Sequence, residues 1–102
     1  MPVTEFEKQE KTLIVKAEGK IDTKRTPQLD NELQAHLDGV ENVVFDCTKV
    51  EYICSSFLRL LLWLERKMEE AGGEVRIIHA NETVMETFRL SGFMAVIHVI
   101  ED

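Results

Sequence analysis

Two short apolar runs, 42-NVVFDC-47 and 74-EVRIIH-79, flank one long helical repeat, and this arrangement limits the fold more than any other feature. Val43, Val44 and Phe45 are consecutive rather than alternating with polar residues, the pattern of a strand covered on both faces. Between the runs, residues 55–71 follow a helical pattern that closes at Gly72-Gly73. A strand, a helix and a second strand of these lengths form a crossover between parallel neighbours, expected to be right-handed. Strands 42–47 and 74–79 are therefore expected at the centre of a sheet, with a loop over 48-TKVEYI-53.

The remaining elements follow from local chemistry. Met1 to Lys8 reads as a short edge strand, and Thr12 to Glu18 as a second strand that ends at the turn 19-GKID-22. Thr26-Pro27 reads as N-cap and first helical residue, because proline at that position forfeits no hydrogen bond. Leu29, Leu33 and Leu37 recur every four residues, which predicts an amphipathic helix over 27–38. Asn81 is suited to cap a helix through Leu90, with Val84, Met85 and Phe88 inward and Gly92 at its left-handed end. A last strand is expected over 95–100. The order is ββαβαβαβ, an α/β domain with a mixed sheet and packed helices.

With 102 residues the chain is read as one domain, 1–102, large enough for a single core. No basic and apolar leader opens it and no run is long enough to span a bilayer, so a cytoplasmic protein is expected. Nothing after Ile100 suggests an additional C-terminal helix. Cys47 and Cys54 form no CxxC pair and are expected as reduced thiols. The net charge of −7 repels nucleic acid and anionic lipid, so neither is an expected partner, and a protein partner with a basic patch is a sharper expectation.

Marks of catalysis are few. His36, His79 and His98 stand on different elements without metal-ligand spacing, and no glycine-rich loop opens a helix to cradle phosphate. Ser56 lacks a nucleophile elbow, and Cys54 lacks an identifiable base. The reading is a protein that is not an enzyme and needs neither metal nor cofactor.

The stretch 51-EYICSSFLRLLLWLER-66 carries the remaining signal. Ser55 and Ser56 open the longest helix, where free N–H groups and the dipole favour negative charge. A phosphate on Ser56 would therefore alter the surface without melting the helix. Leu58, Leu61, Met68 and Ala71 suit an inner face, whereas Leu60 and Trp63 lie on the side of Ser56. This apolar arc is wider than one sheet face requires, so it is either covered by a neighbouring helix or left as a partner site.

The segment VVFDCTKVEYICSSFLRLLL resembles the core of STAS domains, the fold of bacterial anti-sigma-factor antagonists. GKID at 19–22, AGGEVRII at 71–78 and FRLSGF at 88–93 resemble three further family motifs, in the family's order. The resemblance implies a STAS-like mixed sheet and a partner switch controlling sigma-factor-dependent transcription. Ser56 is implied as the phosphoacceptor of an anti-sigma factor with serine kinase activity, and a phosphatase as the reversing partner. Ser55 would cap the helix beside it and Asp22 would lie nearby, while Arg59, Leu60 and Trp63 belong to the implied partner surface. Two positions depart from the family pattern: Cys54 replaces an aspartate and Phe57 a glycine. A phenylalanine adjoining Ser56 could obstruct a kinase active site or supply a hydrophobic contact to a divergent partner. The alternative is a stand-alone STAS subunit that docks on the ATPase of a lipid or ABC-type membrane transport complex without phosphorylation.

Overall fold

The computed structural model describes residues 4–101 and builds one five-stranded mixed sheet in the order β1-β2-β3-β4-β5. The strands are β1 (Thr4–Gln9), β2 (Thr12–Ile21), β3 (Asn42–Ile53), β4 (Val75–Ile78) and β5 (His98–Val99). The helices are α1 (Arg25–Gln34), α2 (Ser55–Glu70) and α3 (Glu82–Ser91), and a single 3-10 turn spans Phe93–Ala95. β1 and β2 pair antiparallel as a hairpin, and every later pairing is parallel. The order ββαβαβαβ is as the sequence reads. Of the expected first strand, Met1 to Val3 lie outside the described residues.

Alternation explains the layers. Leu13, Val15, Ala17, Val43, Phe45, Cys47, Val75 and Ile77 are buried on the face that α2 covers. The residues between them, including Lys16, Asp46, Arg76 and His98, remain partly or fully exposed on the other face. There Glu5, Lys16 and Asp46 stand in one cross-strand row of alternating charge. α3 packs against the far half of β3, where the Asn81 side-chain amide donates to the Val50 carbonyl at 3.0 Å. The same side chain accepts from the Val84 N–H at 2.8 Å, the expected cap.

Four boundaries differ from the reading of the sequence. The supposed loop 48–53 is strand: β3 runs on to Ile53, paired with an equally prolonged β2 through Ile21. Gly19 therefore lies inside β2, at φ 75°, between two register shifts that a side chain at that torsion would resist. Central position belongs to β3, whereas β4 is one strand in from an edge formed by the short β5. The expected strand 95–100 shrinks to His98–Val99, and α1 ends at Gln34 rather than 38, although Leu37 is still buried.

Gly73 shows why the join between α2 and β4 is made of glycines. A Cβ there would stand 1.8 Å from the Glu41 carbonyl oxygen, so no other residue permits this approach of β4 to the start of β3.

Candidate functional site

The site forms where β2 and β3 end side by side. The Cys54 N–H donates to the Ile21 carbonyl at 3.2 Å, setting the turn that bears Asp22 against the first turn of α2. Asp22 is exposed and caps α1: its carboxylate accepts the Arg25 N–H at 2.8 Å, and its carbonyl accepts the Thr26 N–H at 3.0 Å and the Thr26 hydroxyl at 2.8 Å. Thr26 is thus the second helical residue, not the N-cap; that position is Lys24, whose side chain makes no capping bond, and the Asp22 carboxylate two residues earlier takes up the first helical N–H. Pro27, in the first turn, still sits where its missing N–H costs nothing.

Cys54, not Ser55, is the N-cap of α2; its backbone is extended at φ −115° and ψ 175°. Ser55 is exposed and Ser56 half-buried within the first turn. The Cys54 thiol faces the hydroxyls of Thr23 and Thr26, each 3.9 Å from Sγ. Burial pushes this thiol up, but the Phe57 and Ser56 N–H groups and then the two hydroxyls outweigh it and hold it below the usual thiol range. Cys47 shows the opposite balance: burial, with Asp46 beside it, pushes its thiol up to about 12.

Phe57 is not on the surface. It is fully buried, its ring edge-on to Phe45 with centroids 5.5 Å apart, because the third residue of α2 points onto the sheet. It can neither obstruct a kinase nor contact a partner. Leu60 is also mostly buried, at 7%, whereas Trp63 is 43% exposed. The wide apolar arc is thereby divided: Leu58, Leu61, Leu64 and Met68 join the core, Ala71 is exposed, and Trp63 remains on the outside.

α1 and α2 leave a shallow groove between them. Ser56, Arg59, Leu60 and Trp63 line it from α2, and Thr23, Thr26, Pro27, Asp30 and Gln34 from the α1 side. Ser56 and the three expected partner-surface residues are thus gathered in one place; Asp22 does not line it, although the adjacent Thr23 does. The α1 wall was not read from the sequence, although its spacing of three and four residues is helical and marks one face. The groove lining combines apolar Pro27, Leu60 and Trp63 with polar and charged side chains, a mixture suited to another protein's side chains.

Among the described residues no group of three or more His, Cys, Asp or Glu is gathered to hold a metal ion. No helix among them is long and apolar enough to cross a membrane.

Comparison with known proteins places this geometry in a family. A relative from Bordetella bronchiseptica, named as a candidate anti-sigma factor antagonist, BtrV, is 32% identical over 88 residues, covering 85% of this chain and 76% of its own. The unphosphorylated form of the anti-sigma factor antagonist SpoIIAA superposes with a TM-score of 0.83 at 17% identity, over 98% of this chain and 90% of that one. An anti-sigma factor antagonist from Mycobacterium paratuberculosis gives 0.83 at 22% identity, over 100% of this chain and 87% of that one. These two likenesses are of fold. The STAS domain model matches residues 4–102, and the chain belongs to the STAS domain family.

Proposed function

We propose that this chain is a partner-switching module of the anti-sigma-factor antagonist type. In its unmodified form the groove between α1 and α2 binds an anti-sigma factor that has serine kinase activity. Phosphorylation of Ser56 releases that partner, and a phosphatase restores binding. The observation that carries the reading is the position of Ser56, half-exposed in the first turn of α2 and in one groove with Arg59, Leu60 and Trp63. A phosphate there adds about −1.5 to −2 charge at a helix N-terminus, where the fold accepts it and the groove changes most.

The test uses the cognate anti-sigma-factor kinase, with ATP and mass spectrometry. Modification confined to Ser56 is expected, abolished in Ser56→Ala, with binding at least about tenfold weaker for Ser56→Asp because like charge enters the interface. An unmodified Ser56 and a partner indifferent to Ser56→Asp would sink the switch. Co-purification with a transport ATPase in place of an anti-sigma factor would replace the reading.

A further inference from the structure

The outward face of α2 reverses the charge of the molecule. The chain carries a net −7, yet the exposed ionisable side chains between Ser55 and Met68 are Arg59, Arg66 and Lys67, all cationic. Glu65, the acid within this stretch, points inward and is 5% exposed. Ser56, Arg59, Trp63, Arg66 and Lys67 are spaced i, i+3, i+7, i+10 and i+11, which places them along one stripe of the helix. Trp63 stands at its middle, with the Lys67 ammonium 5.6 Å from its ring centroid. Among the described residues Arg59 and Arg66 make no ion pair or hydrogen bond. Asp30, on the opposite groove wall, already accepts from Gln34 at 3.1 Å, and Glu69 and Glu70 lie beyond, in the last turn.

We infer that this stripe docks an acidic segment of the partner protein. Carboxylates of that segment pair with Arg59, Arg66 and Lys67, and an apolar side chain between them packs on Trp63 and over Leu60. The inference rests on the partner-switching reading and specifies the chemistry of the surface engaged. The overall charge points to a basic partner, but the local field at the groove has the other sign, and it is the local field that a docked segment meets. A phosphate on Ser56 lies one turn from Arg59; it competes for that guanidinium and repels the incoming carboxylates. A nucleic acid or anionic bilayer is wider than the stripe and would meet the acidic surface around it, whereas a single protein segment need not.

Calorimetric titration of the same anti-sigma-factor kinase, between about 50 and about 300 mM salt, tests the inference. Wild-type affinity is expected to fall with salt. Arg66→Glu, remote from Ser56, is expected to weaken binding at least about tenfold, and R59E/R66E further. Lys11→Glu makes the same charge change on the β1–β2 hairpin, where Lys11 pairs with Glu41, and is expected to stay within about twofold. Circular dichroism establishes that each variant is folded. Undiminished binding by folded R66E and R59E/R66E overturns the acidic-segment inference and leaves the switch intact. Absence of wild-type binding removes both. Co-sedimentation of wild type with phosphatidylserine vesicles, lost in R66E, would reassign the stripe to a membrane and overturn the inference.

Discussion

The ring of Phe57 meets that of Phe45 at 86°, centroids 5.5 Å apart, so the residue after the candidate phosphoacceptor is an anchor of the core. Ser56 at the groove and Phe57 at the sheet are separated by one helical step of about 100°. The two side chains therefore serve different ends, and a substitution at Phe57 reports on stability.

Phe57→Ala is expected to cost about 3–5 kcal/mol, the usual loss for a fully buried phenylalanine. Phe57→Leu keeps most of the volume and is expected to cost under about 1.5 kcal/mol. A double-mutant cycle with Phe45→Leu should recover about 0.5–1.5 kcal/mol of coupling from the edge-on pair. Urea titration measures all three. A loss below about 1 kcal/mol for Phe57→Ala would mean that the ring is not packed as the structure has it.

The two thiols are expected to differ in reactivity. Cys54 is held below the ordinary thiol range by N–H groups of α2, while Cys47 is pushed up to about 12 and is 1% exposed. Iodoacetamide near pH 7.5 should label Cys54 first and reach Cys47 only on unfolding, because the thiolate is the nucleophile. A depressed folded-state pKa stabilises above the unfolded value of about 8.5, and that contribution is lost as pH falls through the folded value. The Cys54 labelling rate should accordingly level off at a lower pH than that of a free thiol. Equal labelling of both cysteines in the native protein would refute the difference. Cys54→Ala, which removes a buried sulfur facing the Thr23 and Thr26 hydroxyls but leaves the capping carbonyl, is expected to cost about 1 kcal/mol.

How much of this was legible in the sequence depends on where the simple periods hold. In β2 and β3 burial alternates as far as Ala17 and Cys47, and both strands were readable there from their apolar, β-rich residues. Beyond that, the register shifts between Lys16 and Glu18 and between Gly19 and Lys20 break the period of two. Val50 and Ile53 are therefore both buried although three residues apart, and 48–53 imitates a loop. The serines at 55 and 56 drew the N-cap forward because serine is a common cap and cysteine is not, yet the backbone turns at Cys54. For α2 the apolar positions cover so much of the circumference that the sequence does not fix its inward direction. Packing against Phe45 fixes it, turning Phe57 inward and leaving Trp63 outside. The family motifs placed Ser56 correctly on the helix, but the α1 wall of its groove and the basic stripe emerge only when helices and charges are placed together.

Glu65 makes stability depend on pH through α2. Its carboxylate is 5% exposed and accepts the Val75 N–H at 2.8 Å, joining the helix to the first residue of β4. Burial raises its pKa above the ordinary glutamate range; the Val75 N–H opposes this, and Glu69 and Glu74 add to it. The basic side chains beside the cluster, Arg76 and His98, are engaged with Glu74, at 2.9 and 3.4 Å. A raised folded-state pKa means that the native protein holds this proton more tightly than the unfolded chain. Its stabilising contribution is full below the unfolded value of about 4.3 and is lost as pH rises through the folded value. Glu65→Gln keeps an acceptor for Val75 and cannot ionise, so it is expected to gain stability over wild type as pH rises toward 8. The pH-dependent difference between the two should level off below about pH 3.3, where Glu65 is protonated in both states. Glu65→Ala leaves the Val75 N–H unpaired and is expected to cost about 1–3 kcal/mol. Urea midpoints for the three proteins across this range decide the matter: parallel curves for wild type and Glu65→Gln would show that Glu65 does not titrate between those limits.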